Sequence, residues 1–159
     1  MSSDIIVRAA SVNDVEVIFK MILAMAKFEK LEDQVVADPA ILKEFLFDRQ
    51  KADVLIAEYQ GAPAGYALFF ENFSTFEGRT GLYLEDIFVM EEQRSLGIGN
   101  VLFRAVATEA VKRGCPRLDW ACLKWNQPAR DFYESRQGEP LEWMIYRLSG
   151  KALQENGEV

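Results

Sequence analysis

The sequence predicts an α/β (α+β) fold in which a mixed, mostly antiparallel central sheet is flanked by helices. Short runs rich in β-branched and aromatic residues alternate with runs whose apolar residues recur at helical spacing. A turn signal, Gly61-Ala62-Pro63, joins two of the predicted strands directly. The predicted order of elements is therefore β-α-α-β-β-β-α-β-α-β.

The first third of the chain predicts one strand and two helices. Ile5, Ile6 and Val7 form a short apolar strand, and Ser11 with Asp14 resembles a capping box that starts a helix ending near Phe28. Asp38 precedes Pro39, which is the usual order of a capping side chain and a proline in the first helical turn. A second helix is expected from there to Leu46.

The middle of the chain predicts three antiparallel strands. The first two, Val54 to Glu58 and Tyr66 to Phe70, flank the turn at Gly61 and should form a hairpin. A loop is expected from Glu71 to Gly81, and Leu82 to Met90 forms the third strand.

The last third predicts a helix from Gly97, a strand from Leu118 to Leu123, a short helix from Gln127 to Ser135 and a final strand from Leu141 to Leu148. The polar tail from Lys151 is expected to be loose. With 159 residues, the chain is long enough for one core. We expect a single domain over residues 1–150 and a C-terminal tail over 151–159.

Composition narrows the classes of function. The net charge is −7, which disfavours a nucleic-acid partner bound through its phosphates and suits a cationic partner better. The chain has two cysteines and no histidine, so neither a Cys/His zinc site nor a histidine-based triad is possible, and no metal site is expected. Cys115 and Cys122 are expected to be small buried hydrophobes in a reducing compartment.

No segment predicts insertion into a membrane. The longest apolar stretch, Val17 to Ala26, is interrupted by Lys20 and has neither a basic leader nor a cleavage pattern. We therefore expect a cytoplasmic protein without a membrane partner.

The stretch QRSLGIGN, residues 93–100, lies between a predicted strand and a predicted helix. Glycines allow close backbone approach, and amides at a helix start can bind an anion such as a pyrophosphate. The stretch lacks the Gly-Lys-Ser/Thr ending of a P-loop and the third glycine of a dinucleotide fingerprint. Taken alone, the stretch favours a simple glycine-containing turn over an anion site.

Several segments together resemble the GNAT N-acetyltransferase superfamily. Arg94-Ser95-Leu96-Gly97-Ile98-Gly99 resembles its acetyl-CoA loop, and Asn126-Gln127-Pro128 followed by Asp131-Phe132-Tyr133-Glu134 resembles its downstream segment. Ala26-Lys27-Phe28-Glu29, Glu32-Asp33-Gln34-Val35 and Leu82-Tyr83-Leu84-Glu85-Asp86 resemble the branch of diamine (spermidine/spermine) and thialysine acetyltransferases. The resemblance extends from about residue 5 to residue 150 and implies a GNAT fold.

The resemblance implies acetyl-CoA as the acetyl donor. The strand before the loop would offer main-chain groups of Ile87, Phe88 and Val89 to the pantetheine arm, and Asn126 would hold the donor near its thioester. The loop would wrap the pyrophosphate through Arg94, Ser95, Leu96, Gly97, Ile98, Gly99 and Asn100. Tyr133 would also contact the donor and would be the general acid, because a phenol with a pKa of roughly 10 can protonate a leaving thiolate. The alternative for Tyr133 is a core aromatic.

Activation of the amine requires a base. Without histidine the base is a carboxylate, acting directly or through water, or else the solvent. Glu85 is the candidate base and a substrate contact, while Asp86 and Glu29 would bind the distal ammonium of the substrate. A bulge in the strand would bring Glu85 and Asp86 to the same cleft, although neighbours in a regular strand face opposite sides. The alternative for Glu29 is a solvated helix end.

Three departures from the family pattern accompany the resemblance. Ser95 stands where relatives often have glycine, so donor binding should persist unless that residue needs a positive φ. Ser135-Arg136-Gln137-Gly138 differs from the usual corner after the tyrosine helix. Phe76 is the nearest counterpart to an aromatic that some relatives place beside the substrate, which weakens the polyamine prediction.

The expected function is acetyl transfer from acetyl-CoA to a primary amine of a small cationic substrate, in a ternary complex without an acyl-enzyme. Polyamines, other diamines and thialysine-like amino acids are the expected substrates, and relatives imply a homodimer. Two alternatives remain open: a non-catalytic acyl-CoA-binding module, and an acetyltransferase for a protein or peptide amine.

Overall fold

The computed structural model describes residues 4–158. The chain divides into two compact units: an N-terminal unit that ends at Ala121 and a C-terminal unit that begins at Cys122. The N-terminal unit contains the sheet and three helices, and the C-terminal unit contains two helices. The expectation of a single domain over residues 1–150 stays a prediction.

The sheet has five strands in chain order: β1 (Ile5–Ala9), β2 (Asp53–Tyr59), β3 (Ala62–Ser74), β4 (Arg79–Val89) and β5 (Leu118–Trp120). The first four strands pair antiparallel, and β5 pairs parallel with β4. The predicted mixed, mostly antiparallel sheet flanked by helices is confirmed.

The helices of the N-terminal unit are α1 (Val15–Phe28), α2 (Pro39–Lys43) and α3 (Ile98–Lys112). The amide of Ser11 donates to Asp14 Oδ2 at 2.7 Å, as expected for a capping box before α1. The amide of Ile41 donates to Asp38 Oδ1 at 2.8 Å, which caps α2 as predicted. A π-helical turn, Glu44–Asp48, continues α2 beyond its α-helical part.

Helices cover both faces of the sheet. On one face, the apolar sides of α1 and of the π-helical turn pack on β2, β3 and β4, in a cluster formed by Ile18, Met21, Leu46, Val54, Ile56, Tyr66 and Phe88. On the other face α3 buries its own apolar stripe, Ile98, Leu102, Phe103, Val106 and Ala110. This burial supplies the main stabilisation of the unit.

The predicted loop from Glu71 to Gly81 is wrong. β3 continues to Ser74 and β4 begins at Arg79, so the hairpin loop is only residues 75–78. Gly81, which favoured a loop in the sequence, lies within β4. A Cβ there would approach Asn72 Oδ1 and Arg117 O to about 3 Å, so the close packing of the neighbouring segments favours glycine.

The C-terminal third differs most from the prediction. The strand expected from Leu118 to Leu123 ends at Trp120. The strand expected from Leu141 to Leu148 does not form, because an apolar pattern becomes a strand only where a neighbouring strand is available for pairing. The tail is not loose: α5 (Gly150–Gly157) forms there, with a Lys151–Glu155 ion pair at i,i+4. Helix α4 (Gln127–Glu134) matches its predicted position.

Neither cysteine is fully buried, in contrast to the prediction. Cys115 is partly exposed and Cys122 is exposed, and both are free thiols. Within residues 4–158, no helix is long and apolar enough to cross a bilayer.

Candidate active site

The strand β4 carries a bulge at Glu85, as predicted. Leu68 of β3 pairs with Asp86, and the next residue, Phe69, pairs with Leu84, so Glu85 has no partner in the register. An extra residue in one strand bends it and redirects its side chains. The bulge leaves Glu85 exposed and turns Asp86 into the largely buried face that α1 covers.

The bulge also marks the point where β4 and β5 separate. Their pairing ends at Leu84 and Trp120, so in the described residues β4 continues to Val89 with β3 as its only partner strand. Antiparallel pairing alternates the direction of main-chain groups, and the amide of Met90 donates to Ala64 O. The main-chain groups of Ile87 and Val89 therefore point away from β3, toward the side where the resemblance expects pantetheine.

Phe88 occupies a different position from its two neighbours. It pairs with Tyr66 across the β3–β4 register, and its side chain, 7% exposed, belongs to the core under α1. Contact between Phe88 and the donor stays a prediction to which the strand geometry adds no support.

Arg94 ties the loop to both α1 and β4. Its Nε donates to Val89 O at 3.1 Å, and its guanidinium carbon lies 4.5 Å from the Phe28 ring centroid and 5.5 Å from that of Phe88. Cation–π stacking of this kind contributes about 0.5–2 kcal/mol. The side chain thus holds the loop against the end of α1, and the Val89 carbonyl is occupied by this bond.

The loop itself fits an anion. Ser95 has φ 67° and Gly97 has φ 85°, so two left-handed residues curl the chain just before α3. The first main-chain bond of α3 runs from the Val101 amide to Gly97 O, so the amides of Ile98 and Gly99 precede the helical ladder. A Cβ added to Gly97 would meet nothing within 4 Å, so the space beside this residue is open. The residues therefore fit a bound pyrophosphate.

Asp86 is the centre of an acidic cluster. Tyr66 Oη donates to its Oδ2 at 3.0 Å. Burial, with smaller contributions from nearby Glu85 and Glu29, raises the pKa of Asp86 to about 6 against the lowering effect of the Tyr66 hydrogen bond. Burial also raises the pKa of Glu29, which lies at the end of α1. The structure therefore brings together Glu29, Glu85 and Asp86, the three predicted substrate contacts.

Across residues 4–158, no group of three or more Cys, Asp or Glu side chains is arranged to hold a metal ion. Partly desolvated carboxylates without a metal are most stable when an organic cation or a proton neutralises them.

The C-terminal unit contains Asn126 and Tyr133 on the same helix. Asn126 caps α4, its Oδ1 accepting from the Ala129 amide at 3.3 Å. Tyr133 is partly buried in the last turn of α4, with its ring edge-on to Phe132 at 5.5 Å. The capping bond gives Asn126 a structural role, and its donor-binding role and the acid role of Tyr133 stay predictions.

The corner after α4 has a regular structure despite its unusual sequence. The Gly138 amide donates to Tyr133 O and the Gln137 amide to Glu134 O, both at 3.0 Å, which is the Schellman pattern. Gln137, with φ 65°, takes the left-handed position that glycine usually fills.

A separate cleft of about 470 Å³ lies at the opposite end of the β2 strand from Tyr59. It is lined in part by Gln50, Asp53, Glu109 and Arg113, and none of the predicted site residues lines it. Arg113 pairs there with Asp53 at 3.0 Å and with Glu71 at 3.4 Å. These ion pairs give the cleft's polar groups a structural role, so it is a weaker site than the acidic cluster.

Sequence reasoning missed Tyr66 and Phe28 as contributors to this site. The sequence did contain a signal for Tyr66. A buried carboxylate needs a hydrogen-bond donor, and Tyr66 lies in the predicted strand that precedes the one carrying Asp86. Phe28 gave no comparable signal, since its contact with Arg94 joins residues far apart in the chain.

The comparisons with known proteins agree with the geometry. The model of the acetyltransferase (GNAT) family matches residues 19–138. The thialysine N-epsilon-acetyltransferase of Bos taurus is 34% identical over 164 residues, covering 95% of this chain and 96% of the relative. An L-ornithine N5-acetyltransferase of Arabidopsis thaliana is 32% identical, covering 93% of this chain and 86% of that protein.

A solved structure shows the same fold. An integron cassette protein from the mobile metagenome of V. cholerae superposes with a TM-score of 0.81 at 22% identity, covering 98% of this chain and 99% of its own. With the family match and the relatives above 30% identity, the chain belongs to the acetyltransferase (GNAT) family and is an N-acetyltransferase that uses acetyl-CoA as its acetyl donor.

Proposed function

We propose that the protein acetylates a primary amine of a small substrate that carries a second positive charge. A thialysine-like amino acid is the first candidate and a polyamine or other diamine the second. The observation that carries the proposal is the acidic cluster of Asp86, Glu29 and Glu85 beside the donor loop. The loop and the cluster adjoin because Arg94 stacks on Phe28, the neighbour of Glu29 in the chain.

The electrostatics of the cluster favour a cation. Burial, with smaller contributions from two neighbouring carboxylates, makes the charged form of Asp86 costly, which is why its pKa rises to about 6. A bound ammonium would reverse this effect, because opposite charges about 4 Å apart attract by several kcal/mol at the low effective dielectric constant of a protein surface. The cluster is therefore stabilised most by a substrate that has a second, charged nitrogen in addition to the nitrogen that reacts.

The proposed reaction is a direct transfer of the acetyl group from the thioester to the amine. The neutral amine nitrogen attacks the thioester carbonyl carbon, an N–C bond forms, the C–S bond breaks, and the thiolate of CoA leaves with one proton. The attacking nitrogen loses one proton, and exposed Glu85 at the bulge is the proposed acceptor, directly or through water. Direct transfer needs no acyl-enzyme, and neither cysteine has a part in it.

Binding of the donor is proposed for the open edge of β4 and the loop. The main-chain groups of Ile87 and the amide of Val89 would hold the pantetheine arm, and the amides from Ser95 to Asn100 would hold the pyrophosphate. Asn126 and Tyr133 are proposed from their match to the family segment, with Tyr133 as the acid that protonates the thiolate.

Relatives support the order of the two substrate candidates. The names of the two curated relatives above refer to amino acids with a side-chain amine. Either class has the second cation that the acidic cluster would bind, so the choice between them depends on an assay.

The experiment compares amines that differ in the second charge. Initial rates with thialysine and putrescine are measured against n-butylamine, and acetylated products are identified by mass spectrometry. We expect kcat/KM to be about 30-fold higher for the dications, corresponding to about 2 kcal/mol of charge interaction. Asp86→Asn should reduce that preference, while Asp48→Asn, at an exposed site distant in the chain, is the matched control. Equal kcat/KM values for the dications and for n-butylamine would contradict the proposal.

A homodimer is a further part of the proposal, taken from the resemblance. Exposed apolar side chains lie close together in residues 141–148 of the C-terminal unit, where Trp143, Met144, Ile145 and Tyr146 are each more than 70% exposed. Such a patch is typical of a surface that is covered in an assembly. The cytoplasmic location stays a prediction.

A further inference from the structure

Tyr66 is a buried residue of β3 that the proposed reaction does not yet use. It has no exposed surface. In the β3–β4 register it is opposite Phe88, while Asp86 is opposite Leu68, so Tyr66 and Asp86 are diagonal neighbours on one face. Diagonal neighbours lie about 7–8 Å apart between backbones, which a tyrosine can reach across. The 3.0 Å bond from its hydroxyl to Asp86 Oδ2 fits this arrangement.

We propose that Tyr66 is a positioning residue for the amine substrate: its hydroxyl fixes one oxygen of Asp86 and leaves the other to accept from the substrate ammonium. The inference rests on the proposed function, because it assigns Asp86 to the distal cation.

The hydroxyl acts as a donor over the whole working range of pH. Burial and the nearby carboxylates raise the pKa of Tyr66 well above 10, so its proton stays on the phenol oxygen. A hydroxyl has one proton, and the geometry assigns it to Asp86. The contact of the same oxygen with Met25 Sδ, at 3.6 Å, is then a packing contact that joins α1 to the pair.

The bond also acts on the charge of Asp86. Three groups bear on its ionisation: Glu29 from the end of α1, Glu85 from β4 and Tyr66 from β3. The two acids and burial favour the protonated form, and Tyr66 favours the carboxylate. Without the hydroxyl, Asp86 would hold its proton to a higher pH and would attract an ammonium less.

The first test is a ¹³C NMR titration of the Asp86 carboxyl carbon, which needs no substrate. Wild type should titrate with a pKa of about 6, and Tyr66→Phe should raise the midpoint by about one unit. Tyr59→Phe removes a phenol at the far end of β2 and should leave the midpoint unchanged. An identical midpoint in wild type and Tyr66→Phe would overturn the inference.

The second test measures KM for the amine against pH. Below pH 7, Tyr66→Phe should raise this KM about tenfold while leaving KM for acetyl-CoA within about twofold. In the Asp86→Asn background, Tyr66→Phe should add no further loss, because it acts through Asp86. Additive effects, or equal increases in both KM values, would indicate a role in folding alone and would contradict the inference.

A wild-type measurement covers the case in which Tyr66→Phe does not fold. The ¹³Cζ signal of Tyr66 should shift between pH 4.5 and 8 with the same midpoint as Asp86, and Asp86→Asn should abolish that inflection. Absence of the inflection in wild type would overturn the inference. If these titrations succeed while no amine is acetylated, the hydrogen bond stands and the proposed function fails.

Discussion

At the scale of single residues, two residues of the proposed site are energetically unfavourable in the folded protein. Asp86 is a largely buried carboxylate in the acidic cluster, and Ser95 holds a left-handed conformation in the loop before α3. Each of these features lowers stability, which is usual for positions retained for function. Substitutions that remove such a cost should therefore raise the free energy of unfolding.

Asp86→Asn should make the protein more stable and less active. The folded-state pKa of about 6 lies above the ordinary value of 3.8, so ionising Asp86 costs more in the folded state, and this destabilisation appears as pH rises from about 4 to above 6. We expect the variant to gain about 2 kcal/mol in free energy of unfolding at pH 8 and almost nothing at pH 4. Urea denaturation at the two pH values measures this. A gain of equal size at both would contradict the shifted pKa.

Ser95→Gly should relieve strain in the donor loop. A residue with a Cβ at φ 67° is disfavoured by roughly 1 kcal/mol. Glycine removes this steric cost, but it also increases the conformational entropy of the unfolded chain, which offsets part of the gain in stability. We expect stability to rise by up to about 1 kcal/mol, with acetyl-CoA affinity retained. Ser95→Ala keeps the Cβ and is the control, which should show no gain. Loss of stability in Ser95→Gly alone would rule out the left-handed conformation.

At the scale of elements, an ion-pair network joins the start of α1 to the sheet. Arg8 of β1 donates to Asp14 at 2.8 Å and to Glu58 of β2 at 2.8 Å. The Arg8 hydrogen bond lowers the pKa of Asp14 to about 2. Asp14 also accepts from the Ser11 amide, so one carboxylate caps the helix and binds the strand.

Asp14→Asn should destabilise the N-terminal unit in a pH-dependent way. Because the folded pKa of about 2 is below the ordinary 3.8, the stabilisation is present above pH 4 and is lost as pH falls toward 2. We expect a loss of about 1–2 kcal/mol at pH 7, discounted for the partial exposure of Arg8. In Asp48→Asn, which removes an exposed pair with Lys43, the loss should stay below about 0.5 kcal/mol. A difference that persists unchanged to pH 2 would contradict this explanation.

Elements with local signals were predicted well from the sequence, and those that depend on distant partners were not. The caps at Ser11–Asp14 and Asp38 and the hairpin turn after Tyr59 use short-range chemistry, so α1, α2 and the β2–β3 hairpin follow from it. The length of β3 and β4 depends on pairing such as Asn72 with Gly81, which no local pattern specifies. Residues 141–148 have an apolar strand pattern without an assigned strand, for the same reason.

The same division holds for the site. The bulge at Glu85 and the proximity of Glu29 and Glu85 to Asp86 could be predicted because the resemblance fixes short motifs, while donor binding by residues 94–100 stays a prediction. The Tyr66 hydrogen bond and the stacking of Arg94 on Phe28 could not, because each joins separate elements through side-chain reach.

At the scale of the whole molecule, the exposed apolar side chains within residues 141–148 predict an assembly. Light scattering after size exclusion should give twice the 18.1 kDa chain mass. Trp143→Ser combined with Ile145→Ser should raise the dissociation constant at least about tenfold, because both exposed side chains would leave the covered surface. Val111→Ser, at an exposed apolar position of α3, is the control. A wild-type monomer at micromolar concentration would contradict the dimer.

Acetyl transfer to a small cationic amine is the central claim for the molecule, and release of CoA thiol tests it most directly. Purified protein with acetyl-CoA is assayed against thialysine, lysine, ornithine, putrescine, spermidine, spermine and a lysine peptide. We expect saturable thiol release with at least one of the small dications, with thialysine first, and little with the peptide. Preference for the peptide would contradict the small-substrate proposal, and no release from a protein shown to bind acetyl-CoA would contradict the claim for this whole set of amines.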